Sequence, residues 1–326
     1  MNNPFFKNHG PFKIKDLFND FVIDNKNISH NDTILDIKDL ISANKDHLTF
    51  FHSKKYYLAA SKTKSSYCVT YKNLINYLPV GCKPICVDNV LLTISEITSK
   101  FYPDSINDDF DNTVKKIEEI SFENEIKYGH NVLVGNNVSI GKNCLIGHNT
   151  IIEKNVSIGS NCSIGSNVII RNTIIEDDVY ILDGCIIGKK GFGFFPNNEK
   201  NLRYPHIGVV YIGKNSEIGS GTTIDRGSMS NTIIGKNTFL DNQIHIAHNN
   251  KIGDNCIIAG QAGLAGSSIL GNNVMIGGQV GISGHLKIGN NVHVGGGSGV
   301  IKDIPDNSKV MGYPSKDLRK FLKDNK

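Results

Sequence analysis

Aliphatic residues recur at every sixth position through the second half of the chain. From Ile234, positions 240, 246, 252, 258, 264, 270, 276, 282, 288, 294 and 300 read Leu, Ile, Ile, Ile, Leu, Leu, Ile, Ile, Ile, Val and Val. The same grammar fills 128–170, where Val134, Ile140, Ile146, Ile152, Ile158, Ile164 and Ile170 follow Tyr128. The residue after each aliphatic is usually small or acidic (Gly235, Asp241, Ala247, Gly253), and the fifth place of the hexad is usually small or aliphatic (Thr238, Ile244, Cys256, Ala262). Six residues hold two inward places and a turn. Three hexads therefore close one triangular coil, and successive coils stack as parallel strands about 4.8 Å apart. With the interrupted runs at 175–187 and 212–224, about 26 hexads make close to nine coils, a prism on the order of 40 Å long. Residues 18 apart then lie one above the other, which makes Cys144 and Cys162 stacked core fillers.

Three interruptions break this period, and departures from a strong local rule are where function is sought. The first is a one-residue slip between Ile170 and Ile175. A long insertion follows at 188–208, GKKGFGFFPNNEKNLRYPHIG, rich in aromatic and turn residues, and excursions of this kind usually cover or line a site. The third, DRGSMSNT at 225–232, adds four residues between Ile224 and Ile234.

The first third follows other rules. Only Gly10 and Gly81 precede residue 127, against 31 glycines after it. Residues 1–105 read as an α/β unit: strand-like 47–51, helical 54–65, strand-like 66–71 and 83–88, and helical 90–102. The polar stretch 103–112 is the natural linker, the repeat domain spans 106–310, and 311–326 forms a short basic helical tail.

Composition narrows the classes. A net charge of +4 is too mild for nucleic acid as the main partner. Seven cysteines, none in a CxxC pair, give little support to a disulfide framework or zinc ribbon, and a reducing cytoplasm fits best. No run of eighteen apolar residues and no signal-like start indicate membrane spanning or secretion.

Chemistry is expected where a solenoid places polar residues on a lateral face. LDNQIHIAHNN at 240–250 holds Asp241, Gln243, His245, His248 and Asn249 while keeping its inward Leu240 and Ile246. Stacking by 18 puts Gly266 one coil beyond His248, and His285 two coils beyond Asn249, about 10 Å along the axis. A histidine near neutral pKa can take a proton from an attacking amine or hydroxyl, and a glycine N–H can hold an oxyanion, so His248 and Gly266 form a candidate pair.

The run IGSGTTIDRGSMSNTIIGKNTFLDNQIHIAHNNKIGDNCIIAGQAGLAGSSILG, with GFGF and PHIG upstream and GISGHLKIG downstream, resembles the UDP-3-O-acylglucosamine N-acyltransferases of lipid A biosynthesis. The resemblance implies a mainly β protein: a left-handed parallel β-helix of hexapeptide repeats, assembled as a homotrimer, with an N-terminal α/β domain and a short C-terminal helix. It implies that His248 is the general base that deprotonates the 2-amine of a UDP-3-O-acylglucosamine. A 3-hydroxyacyl chain would arrive on acyl carrier protein, and Gly266 would supply the oxyanion N–H. His285 would position substrate or the phosphopantetheine arm, and Asp241 and Asn249 would orient or bind at the site. The family's uracil-holding motif reads TFFHSKKY here, which carries over Phe50 and Tyr56, with Ser53 in place of the usual asparagine. Phe192, Phe194 and His206 of the insertion would line the nucleotide-sugar pocket. Lys316, Arg319, Lys320 and Lys323 would suit an acidic carrier protein. No metal and no cofactor is implied beyond the phosphopantetheine that the carrier delivers.

Other readings are a zinc hexapeptide enzyme using His245 and His248, a non-catalytic scaffold, and an O-acyltransferase acting on UDP-GlcNAc. The N-terminal unit argues against the first and last of these.

Overall fold

Each hexad ends its strand in a corner whose backbone must turn sharply, and the turning residue adopts the left-handed conformation. Asn131, Asn137, Asn143, Asn149, Asn155, Asn161 and Asn167 all do so, with φ between 56° and 62°. Asparagine tolerates this region better than other residues with a Cβ. Stacked asparagines then bond along the axis: the Asn131 amide donates to Asn149 Oδ1 at 3.1 Å, and that of Asn237 to Asn255 Oδ1 at 2.8 Å. These polar corners are a second period of six, complementary to the aliphatic one.

The computed structural model describes residues 3–18, 28–196 and 201–324. The chain divides into two compact units, one of residues 1–107 and 193–207, the other of 108–192 and 208–326. The second is a parallel β-helix whose three faces are 8-, 10- and 11-stranded sheets. Strands one coil apart pair in register at 18-residue spacing, so His245 lies beside Gly263 and Gly263 beside Gly281. The slip after Ile170 shortens one coil by a residue, pairing Ser157 with Ile174. Inward aliphatics fill the prism: Ile164, Ile246, Ile258, Leu264 and Ile282 are all buried, as are Cys144 and Cys162.

A corner also exposes one outward N–H that no strand can satisfy. In most coils the side chain of the next coil accepts it: Lys142 N–H donates to Ser160 Oγ, His148 N–H to Ser166 Oγ, Lys236 N–H to Asp254 Oδ1 and Asp254 N–H to Asn272 Oδ1. Backbone donors left without acceptors are costly, and this column of small polar residues removes the cost.

In the first unit a four-stranded parallel sheet runs in the order Asp36–Ile37, His47–Phe51, Tyr67–Thr70, Lys83–Cys86. The helix Val90–Phe101 buries Val90, Ile94, Ile97 and Phe101, and the Asn89 side chain caps it by accepting from Leu92 N–H. The helix expected over 54–65 is shorter, a 3-10 turn Lys54–Tyr56 followed by Tyr57–Ala60. Ser65 ends it early, because its hydroxyl bonds His47 O and Tyr67 O and draws the chain back to the sheet.

The polar stretch 103–112 is less of a free linker than its composition suggests. Asp108 pairs with Arg226 at 3.0 Å, and Asp111 Oδ2 accepts from Lys154 N–H at 2.7 Å. At the other end, Lys309–Met311 pairs antiparallel with Lys316–Asp317, and the short helix Leu318–Asp324 follows. Lys316 is bound to Asp324 at 2.6 Å, so one of the tail's cations is neutralised locally.

Replacing Ile258, fully buried in the middle of the stack, with alanine leaves a cavity between rigid coils. The cost is expected at about 2–5 kcal/mol, read as a lowered denaturant midpoint.

Candidate functional site

Two of the interruptions converge on His248. The extra residues at 225–232 form a bulge after the strand Thr223–Arg226, and Ser228 and Ser230 from that bulge grip the Asn249 side chain. Asn249 Oδ1 accepts from Ser228 N–H at 3.0 Å and from its hydroxyl at 2.9 Å, while its amide donates to Ser230 O at 2.8 Å. Asn249 N–H donates to Thr232 Oγ1 at 2.9 Å. The carboxamide orientation is therefore fixed, with its oxygen toward His248.

His248 Nδ1 lies 2.8 Å from that oxygen. An amide oxygen only accepts, so Nδ1 carries the proton and the lone pair of the neutral ring resides on Nε2. Two glycines seat the ring. A Cβ on Gly191 would stand 2.6 Å from His248 Cβ and 2.7 Å from Cδ2, and one on Gly266 would stand 2.8 Å from Nε2. Gly191 belongs to the long insertion, carried there by the extended pairing of Lys189 and Lys190 with Asp225 and Arg226. The repeat pattern gave no reason to single out Gly191, but the contact with His248 does.

Gly266 also breaks the corner rule. Its N–H faces the next coil at residue 284, a glycine with no side chain to accept it, and among the described residues no group takes this hydrogen bond. An outward N–H thus stands open beside the histidine's basic nitrogen.

His285 occupies the left-handed corner two coils beyond Asn249, with φ +60°, and is exposed. Asp241 is not brought to this cluster within one chain. It lies at the preceding corner, where its carboxylate accepts from Asn242 N–H at 2.7 Å and Gly260 N–H at 3.0 Å, a turn-capping use within one chain. His245, one hexad before His248, has Nδ1 2.7 Å from Thr223 Oγ1 and Nε2 3.8 Å from Asp225 Oδ2. Burial holds the His245 imidazole below its usual range, and the neighbouring His248 adds to the effect. Burial pushes the Asp225 carboxyl up to about 7, against the pull of Arg226. Among the described residues no group of three or more His, Cys, Asp or Glu is placed to hold a metal ion.

In the first unit, Phe50 is half-buried and Phe51 takes the core place. The rings of Phe50 and His52 stack with centroids 5.9 Å apart, and His52 meets Tyr56 at 5.3 Å, so His52 joins the two expected aromatics. Ser53 Oγ accepts from Lys55 N–H and caps the following turn. In the insertion, Phe194–Phe195 pairs with Leu202–Arg203 as a hairpin, and positions 197–200 lie outside the described residues. Phe192 is exposed and Phe194 half-buried, whereas His206 is buried against Tyr204, with Nδ1 2.8 Å from Tyr204 O. His206 thus packs the loop instead of lining an open surface.

A three-faced parallel β-helix with six-residue corners defines a hexapeptide-repeat protein. The family model of the bacterial transferase hexapeptide (six repeats) matches residues 231–266, and that of the GMPPB C-terminal domain matches 128–191. The solved structure of a UDP-N-acetylglucosamine acyltransferase from Campylobacter jejuni is similar, with TM-score 0.53 and 26% identity over 59% of this chain and 73% of that one. The prism shares the left-handed winding of such neighbours.

The UDP-3-O-acylglucosamine N-acyltransferase 2 of Legionella pneumophila (strain Paris) is 39% identical over 254 residues, 77% of this chain and 74% of the relative. The chain belongs to the UDP-3-O-acylglucosamine N-acyltransferase family. The UDP-3-O-acylglucosamine N-acyltransferase 1 of Gloeobacter violaceus is 48% identical over 150 residues, a match spanning 46% of this chain and 43% of that relative's length.

Asp225 supplies a pH test. Its carboxyl pKa is raised on folding, so the folded state holds the proton more tightly, and this contribution to stability is lost as pH rises from the ordinary carboxylate range through about 7. Asp225→Asn should flatten the fall in melting temperature between pH 5 and pH 8, and a variant that parallels the wild type across that window would contradict the assignment.

Proposed function

We propose that this protein transfers a 3-hydroxyacyl chain from acyl carrier protein to the 2-amine of UDP-3-O-(3-hydroxyacyl)glucosamine, a step of lipid A biosynthesis. The observation that carries the reading is the His248 ring, seated between Gly191 and Gly266, with its proton committed to Asn249 and its basic Nε2 beside an open N–H. The family relatives named for this reaction support the substrate class.

In this reading the amine nitrogen attacks the thioester carbonyl carbon while His248 Nε2 accepts the amine proton. The carbonyl oxygen gains the negative charge of the tetrahedral intermediate, and the Gly266 N–H donates to it. Collapse breaks the carbon–sulfur bond, and the departing thiolate takes the proton from the His248 imidazolium. The products are an amide and a free phosphopantetheine thiol. Asn249 Oδ1 stabilises the transient imidazolium through Nδ1–H, and its serine grip keeps the ring from rotating.

Phe50, His52 and Tyr56 offer a stacking surface for the uracil, and His285 a polar contact for the substrate or the phosphopantetheine arm. Lys320, Arg319 and Lys323 of the tail remain for an acidic carrier surface. A homotrimer is part of the proposal: one outer face of the prism exposes Leu145, Tyr180, Phe239, Ile257 and Met275 along its strands, and parallel sheets normally have both faces covered. The seven free cysteines suit the cytoplasm.

His248→Ala should lower kcat by about 10²–10⁴-fold with 3-hydroxyacyl carrier protein as donor, leaving the assembly intact by sedimentation. UDP-GlcNAc serves as control acceptor, and transfer to its hydroxyl alone would make the enzyme an O-acyltransferase. Gly191→Ala probes the seat of the ring. Its methyl group must displace His248 from Asn249, so kcat is expected to fall on the order of tenfold or more, with little change in KM.

A further inference from the structure

The inward fifth place of a hexad is held by aliphatic residues or by the small Thr, Cys, Ser or Ala in neighbouring coils, as in Ile244, Leu286, Thr238, Cys256, Ser268 and Ala262, but the hexad that follows His248 places Asn250 there. Its side chain is completely buried. Nδ2 lies 2.7 Å from Ala247 O, 3.2 Å from Ala265 O and 3.4 Å from Leu264 O. All three neighbours are carbonyl oxygens, so the NH2 group must face them, and Oδ1 is turned into the prism. Among the described residues that buried oxygen has no hydrogen-bond partner. Other polar residues at this place escape the difficulty. Thr150 Oγ1 donates to Gly165 O at 2.7 Å and accepts from Val168 N–H, and Thr238 Oγ1 donates to Gly253 O and accepts from Cys256 N–H. A threonine would satisfy this corner as it satisfies those, which makes a half-satisfied asparagine a costly choice on packing grounds alone.

The two strongest carbonyl partners explain the choice. Ala247 O belongs to the peptide that leads into His248, and Ala265 O to the peptide that leads into Gly266. In a planar trans peptide the C=O and the following N–H point in opposite directions. Drawing Ala265 O inward to Asn250 therefore aims the Gly266 N–H outward, and drawing Ala247 O inward sets the backbone from which the His248 ring rises. Ser268 Oγ reaches Ala265 O only at 3.3 Å, its shorter bond going to Ser283 O at 3.0 Å.

We infer that Asn250 is a positioning residue for acyl transfer: one buried amide ties together the peptide before the base and the peptide before the oxyanion donor, and so fixes the spacing between them. This rests on the acyl-transfer reading above. Asn250 touches no substrate and acts only through these two backbone planes.

The test compares wild type, Asn250→Val, Asn250→Thr and His248→Ala in the full-length protein, measuring kcat, KM for both substrates and melting temperature. Asn250→Val removes both carbonyl bonds together with the unsatisfied oxygen, so its melting temperature should equal or exceed that of wild type. Its kcat should fall on the order of 10- to 100-fold, less than the 10²–10³ typical of deleting an oxyanion donor outright, with KM values unchanged. Asn250→Thr can restore the bond to Ala265 O but not the one to Ala247 O, and should recover part of the loss. A crystal structure of the valine variant should show the Ala265–Gly266 peptide rotated while His248 still bonds Asn249, a readout independent of turnover. Wild-type kcat in Asn250→Val, or equal losses in the valine and threonine variants, overturns the inference while leaving the function intact. Absence of transfer by wild type from carriers of several chain lengths overturns both. If the valine variant does not fold, the threonine variant decides: lowered kcat at unchanged KM and melting temperature supports the inference, and wild-type kcat sinks it.

Discussion

One backbone N–H per corner must find an acceptor outside the strand ladder, and the β-helix answers with the side chain of the next coil. Ser160, Ser166, Asp254 and Asn272 all serve in this way. Because coils stack in register, the answer at most corners lies with one residue about 18 positions further on. Glycine there withdraws that acceptor: Gly260, which faces Gly278, is served by the Asp241 carboxylate instead, whereas the Gly266 N–H finds no such substitute among the described residues. At Gly284 this happens next to a histidine, and in the proposed reaction a structural obligation of the fold would become the donor that holds developing negative charge. That role would need no new element, only the omission of a side chain.

A regular prism could not by itself orient the His248 ring as the proposed base. Its corners are built alike, and a corner histidine such as His148 accepts the Gly129–His130 corner's N–H through Nδ1 as part of the stack. His248 is freed from that duty because the two longer departures from period six surround it. The bulge at 225–232 delivers Ser228 and Ser230 to Asn249, and the start of the long insertion delivers Gly191 to the ring. Asn249 itself is an ordinary left-handed corner residue, and the serines convert its carboxamide from a rung of the asparagine ladder into a tautomer-setting acceptor.

The β-helix was legible because its aliphatic period is strict and each coil is held by local, repeated contacts. His248, Asn249, Gly266 and His285 were reachable by the same arithmetic, since register in a solenoid converts sequence separation directly into position. Legibility ended where an interaction depended on the exact path of an irregular segment. Gly191 meets His248 only because the insertion leaves the prism at that level. Within one chain the Asp241 carboxylate accepts from Asn242 and Gly260 N–H, contacts that stacking by 18 does not foretell. His206 reads as a ligand residue in an aromatic loop, and burial against Tyr204 gives it a packing role. In the first unit the strand alternation separated Phe50 from Phe51 only once the sheet's buried face was known.

Beneath the site lies a group of buried charges whose balance bears on how the bulge is held. Arg226 and Arg171 face Asp108 and Glu153, with Arg171 bound to Glu153 at 2.7 Å, and two cations meet two carboxylates. Asp225, next in the chain to Arg226, would add a third negative charge to a set already neutral, and burial disfavours its ionised form. The group therefore favours a protonated Asp225 below about pH 7, with His245 as the polar neighbour at its outer edge. Breaking such a network by removing one partner strands a charge in low dielectric, which is far costlier than losing a surface pair. The strand that ends in Asp225 and Arg226 is for that reason a rigid foundation, and the serine-bearing bulge that orients Asn249 starts from its last residue.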